Sequence, residues 1–93
     1  MIRSFRHKGL QRYWTRGDAS GLRPDWIKKI GIVLDALDTA QAPEDMAMIG
    51  AGFHPLKGNM KGRYALNVSR NWRLTFGWDG KDAIEVDLED YHG

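Results

Sequence analysis

Tyr64-Ala65-Leu66-Asn67-Val68-Ser69 and Trp72-Arg73-Leu74-Thr75-Phe76-Gly77-Trp78 decide the fold, because in both runs large apolar side chains recur at every second residue. A period of two is the mark of a strand with one buried face. Arg70-Asn71 separates the runs as a turn, and Asp79-Gly80 is a strong hairpin signal. Ile84, Val86 and Leu88 continue the alternation on a last strand. Two successive hairpins predict an antiparallel meander with one apolar face, and that face needs a cover.

The cover lies upstream. Ile27, Ile30, Leu34 and Leu37 recur every three or four residues behind Pro24, with Lys28, Lys29, Asp35 and Asp38 largely off the stripe. This spacing predicts an amphipathic helix with proline near its start. Gly31 inside it costs about 1 kcal/mol relative to Ala, which points to close packing there. Leu10, Tyr13 and Trp14 predict a shorter helix ended by Gly17, and Ile2 to Phe5 a short opening strand. Residues 40–52 contain Pro43 and two glycines and read as an irregular passage from helices to sheet. The expected fold class is α+β, with two N-terminal helices packed on one face of an antiparallel sheet.

Ninety-three residues suit one domain, 1–93, with one core. The absence of cysteine excludes disulfides and thiolate ligands, which suits a reducing cytoplasm. The basic start, Met1 to Lys8, lacks the apolar run of a signal peptide, and no stretch is long enough to span a membrane. The net charge of +2 hides a strong unevenness: residues 1–29 carry eight cations against two anions, and residues 51–73 five cations alone. Residues 30–50 and 74–93 are acidic. Two basic blocks can form one positive face for a polyanion, or can simply be solvated surface.

If Trp72, Leu74 and Phe76 point to the core, Arg73 and Thr75 point away, and Arg63 likewise opposes Tyr64. His54-Pro55-Leu56-Lys57-Gly58 leads toward the first meander strand, and Asp90-Tyr91-His92 leaves the last. Metal-free RNA cleavage requires removal of a proton from a 2′-hydroxyl, protonation of the departing 5′-oxygen and donors for the phosphorane charge. Histidine, with an ordinary pKa of about 6.5, suits both transfers, so His54 and His92 are candidates for base and acid. Lys57 and Arg73 can hold the scissile phosphate. Asp90 can orient a histidine or act as base, and Tyr91 can stack on a base or donate its hydroxyl. Each also has a plain reading, as surface histidine, solvated cation or polar tail. His7 belongs with the plain histidines, and the acids and histidines match no metal-ligand spacing. Composition and spacing alone describe a basic α+β domain.

Four strings in order resemble one family, the HigB-type toxins of the RelE-like group: Ile2 to Leu10, His54 to Gly58, Asn71 to Phe76, and Glu89 to His92. The resemblance implies a RelE-like toxin fold and a cytoplasmic, cofactor-free endoribonuclease that cuts translated mRNA in the ribosomal A site without a metal. It implies a HigA-type helix-turn-helix antitoxin as partner, with operator DNA bound only through the toxin–antitoxin complex. It places catalytic positions at His54, Asp90, Tyr91 and His92, and substrate-contacting positions at Lys57, Asn71 and Arg73. Leu88 stands where the family often has Tyr, and Gly77 where Arg is frequent. The alternatives are a non-catalytic RNA- or ribosome-binding module and an inactive relative acting as an operon co-repressor.

Overall fold

The computed structural model describes residues 1–90. Helix α1 (Lys8–Arg16) starts at His7, whose Nδ1 accepts from the Leu10 amide at 3.1 Å, and ends at Gly17. A 3₁₀ turn at Pro24–Trp26 leads into α2 (Ile27–Thr39). A 3₁₀ segment, Pro43–Ile49, fills the irregular passage, with Asp45 accepting from the Gln41 and Ala42 amides. Strands β1 (His54–Pro55), β2 (Arg63–Asn67), β3 (Trp72–Trp78) and β4 (Ala83–Asp90) form one antiparallel sheet in chain order. The fold is α+β, as the periodicities predict.

The helix layer buries the apolar sheet face. Ile30, Val33, Leu34 and Leu37 of α2 and Leu10 of α1 join Leu66, Leu74, Phe76, Val86 and Leu88 in the core. Trp72 rests against Trp26 with ring centroids 5.2 Å apart, and Tyr64 stacks between Phe53 and Phe76. Close packing at Gly31 is realised: a Cβ there would lie 3.0 Å from the Tyr13 hydroxyl. Leu88 is a buried core residue.

The hairpin expected at Asp79-Gly80 forms, and one expectation about its second strand needs correction. The connection runs from Asp79 to Asp82, with Asp79 Oδ1 accepting from the Lys81 and Asp82 amides at 2.9 and 2.7 Å. The alternation in β4 is broken by a bulge. Thr75 pairs with Asp87, but Gly77 pairs with Ile84, so Glu85 and Val86 together oppose Phe76. Glu85 adopts φ +50° to make the bend. Ala83 therefore turns into the core, while Ile84, expected there, shares the opposite face with Gly77.

The opening segment pairs parallel to β4 through bridges from Ile2 to Ala83 and Phe5 to Val86, on either side of the bulge. The Ser4 hydroxyl accepts from the Glu85 amide at the gap, and Arg3 pairs with the buried Asp82 at 3.3 Å. This segment covers the outer edge of β4, an edge that would otherwise offer unpaired backbone groups.

Two stability predictions follow from these contacts. Phe76→Ala is expected to cost about 3–5 kcal/mol by leaving a cavity at the helix–sheet contact, measured by urea denaturation. Donation from the Asp82 and then the Lys81 amide holds the Asp79 carboxyl below its ordinary range. A lowered folded-state pKa stabilises above the unfolded value of about 3.9, and the benefit is lost as pH falls through the folded value. The difference in urea midpoint between wild type and Asp79→Ala should thus be present at pH 7 and shrink under acid.

Candidate functional site

The face of the sheet away from the helices carries the polar side chains. Register places Arg63, Gly77 and Ile84 in one row, His54, Ala65, Thr75 and Asp87 in the next, and Asn67, Arg73 and Glu89 in a third. The sequence predicts an open face displaying cations, yet Arg63 and Thr75 are buried. Arg63 Nη2 donates to Thr75 Oγ1 at 3.0 Å and to the Glu85 carbonyl at 2.8 Å, so it lies inward along the sheet. Burial, and next the nearby Arg6, push its pKa down, while Glu89, Glu85 and Asp87 oppose the shift. It remains a cation, since arginine does not lose its proton in proteins. Gly77 makes room for this crossing: a Cβ there would meet Ile84 Cγ1 at 3.2 Å and Arg63 Nη1 at 3.6 Å.

His54 is half-buried on the outer strand β1. Its Nδ1 lies 2.7 Å from the Gly52 carbonyl oxygen. A carbonyl only accepts, so Nδ1 carries the proton and Nε2 of the neutral ring presents a lone pair. The preceding loop is built for this contact. Gly52 has φ +67°, and a Cβ on it would lie 2.6 Å from Asn67 Nδ2, while the Asn67 amide donates to the Ala51 carbonyl at 2.7 Å. His7 shows the reverse polarity, with Nδ1 accepting as a helix cap, which is the plain role expected of it.

The connection from β1 to β2 carries Lys57, which is exposed, and forms a short 3₁₀ turn at Gly58–Met60. Lys57, Lys61 and Arg63 help line a hollow of about 400 Å³ there. Met60 Sδ lies 4.0 Å from Arg73 Nη2, which brings this connection to the Arg73 end of the face. Arg73 also pairs with Glu89 Oε1 at 3.9 Å, and Glu89 Oε2 accepts from the Thr75 hydroxyl. Asn71 is exposed in the turn before β3.

Other predicted residues are placed differently. Asp90 pairs in register with Trp72 and so alternates away from the row of Arg73 and Glu89. It stands on β4 and His54 on β1, the outer strands, three interstrand spacings or about 14 Å apart. The two do not meet. Tyr91 and His92 lie outside the described residues. Sequence reading passed over Glu89, although strand parity marks it: if Leu88 faces the core, Glu89 faces the cations and Asp90 does not. Among the described residues, no group of three or more His, Asp or Glu is placed to hold a metal, and no helix is long and apolar enough to cross a membrane.

Comparison with known proteins agrees with this architecture. Residues 3–92 match the family model described as the RelE-like toxin of the type II toxin–antitoxin system HigB. The chain is 38% identical over 92 residues to a protein named Endoribonuclease HigB from Proteus vulgaris, covering 99% of this chain and 100% of that one. It is 31% identical over 91 residues to Toxin HigB-1 of Vibrio cholerae, covering 96% of each. Among solved structures, YafQ from Escherichia coli aligns over 99% of this chain and 93% of its own with TM-score 0.56 at 15% identity, a likeness of fold.

Arg63→Leu removes the donor to a buried hydroxyl and to the bulge carbonyl. The expected loss is about 1–3 kcal/mol in urea unfolding, with helical circular dichroism retained.

Proposed function

The chain belongs to the HigB-like family of RelE-like toxins from type II toxin–antitoxin systems, and from that membership we propose that it is an endoribonuclease that cuts translated mRNA in the ribosomal A site. The observation that supports this reading is His54, in the polar-face row by register, whose Nδ1 is taken up by the Gly52 carbonyl so that Nε2 is left as the acceptor of the ring. In this mechanism Nε2 takes the proton of a 2′-hydroxyl as its oxygen attacks the neighbouring phosphorus. Arg73 and Lys57 neutralise the charge developing on the non-bridging oxygens. An acid from the C-terminal Asp90-Tyr91-His92, with His92 the first candidate, protonates the departing 5′-oxygen. The products are a 2′,3′-cyclic phosphate and a 5′-hydroxyl, and the scheme needs no metal and no cofactor.

Asn71 and Tyr91 are the further contacts to RNA in this scheme. A domain this small has little surface with which to force RNA into in-line geometry, and the ribosome supplies that positioning.

Membership of the family implies an antitoxin partner. The finer assignment, a HigA-type helix-turn-helix protein whose complex with the toxin binds operator DNA, belongs to the same proposal, as does action in the cytoplasm. Mapping mRNA ends after induction tests it. Wild type should produce cuts in frame with translation and cut free RNA weakly, while His54→Ala should lower cutting on ribosomes by at least about 100-fold. Equal cutting of free and translated RNA, or undiminished cutting by the variant, would contradict the mechanism.

A further inference from the structure

We propose that Glu89 and Thr75 are positioning residues of this site, aiming the Arg73 guanidinium at the phosphate; the inference rests on the ribonuclease reading above. Four side chains form a directed sequence. Arg63 Nη2 donates to Thr75 Oγ1, the Thr75 hydroxyl donates to Glu89 Oε2, and Glu89 Oε1 faces Arg73 Nη2 at 3.9 Å. Directionality is forced, because a guanidinium only donates and a carboxylate only accepts. Thr75 is fully buried and Arg63 nearly so, so their geometry is held by packing. Arg63 is itself anchored on the Glu85 carbonyl.

Register adds an independent constraint. Glu89 stands directly across from Arg73 on the polar face, as Asp87 does from Thr75. A cross-strand pair of opposite charge is the arrangement that fixes a long side chain on a sheet. The Glu89 and Arg73 side chains retain 24% and 17% of their exposure, enough for Arg73 to reach a ligand while screened from bulk water on its other sides. A guanidinium held before substrate arrives loses less freedom on binding and acts more strongly on charge that develops only during the reaction. The consequence is specific: Glu89 and Thr75 act through Arg73, on turnover more than on affinity.

The test is single-turnover cleavage of a defined mRNA on programmed ribosomes, using the full chain. Glu89→Gln and Thr75→Val should each lower the rate about tenfold or more, with the half-saturating ribosome concentration changed by less than about twofold. Thr75→Ser, which restores the hydroxyl, should recover most of the rate. In an Arg73→Ala background neither Glu89→Gln nor Thr75→Val should lower the rate further, an outcome that a general loss of folding would not produce. If Thr75→Val does not fold, the partly exposed Glu89→Gln carries the test by itself.

A Glu89→Gln variant that cuts at the wild-type rate, or one that loses the same factor with and without Arg73, would overturn this inference alone. A wild-type chain that leaves translated mRNA intact would overturn the ribonuclease reading and this inference with it.

Discussion

The Arg63 guanidinium, buried within the sheet, is the interaction on which the polar half of the molecule depends. Burying a charge in so small a protein is costly unless its hydrogen bonds are made; the buried Nε and Nη1 make none among the described residues, while Nη2 makes two, to Thr75 and to the Glu85 carbonyl. The second holds a bulge whose central residue sits at φ +50° without being glycine. That bulge shifts the register of β4 by one residue. It turns Ala83 into the core, moves Ile84 out of it, and opens the gap that the Ser4 hydroxyl fills. One cation thus joins the strand pairing, the edge cover and the polar face.

The two faces of the sheet do different work. One is closed by α1 and α2 through apolar contact among the core aromatics and leucines. The other is partly filled by the buried Arg63 and Thr75, and Met60 of the connection carrying Lys57 reaches Arg73. Partly exposed groups on this face include His54, Asp87 and the paired Arg73 and Glu89, with Lys57 exposed beside them. The basic blocks of the sequence meet acidic residues of β4 on this face, so its positive charge is ordered by carboxylates instead of being displayed as a uniform patch.

The candidate site was legible to different depths at different residues. His54 and Arg73 stand out because histidine titrates near neutrality and arginine binds phosphate, and both do lie on the polar face. Glu89 was legible in principle from its parity with Leu88, but its neighbour Asp90 drew attention as part of a compact terminal string. Arg63 was read correctly as opposing Tyr64 and incorrectly as exposed, because nothing in a period-two pattern tells a displayed cation from a buried one. Its partners, Thr75 and the Glu85 carbonyl, come from two other strands.

Local spacing determined the elements themselves. The period of two in residues 64–78, the helical stripe from Ile27 to Leu37, the ending at Gly17 and the cover of one sheet face are consequences of side-chain periodicity and backbone preference within a few residues. Tertiary structure decided the bulge at Glu85, the parallel pairing of the opening segment, the inward course of Arg63 and the alignment of Glu89 with Arg73. Each of these depends on which backbone and side-chain groups find hydrogen-bond partners across strands, some of them more than seventy residues apart in the chain. A pattern read along the chain carries no information about a partner chosen across it.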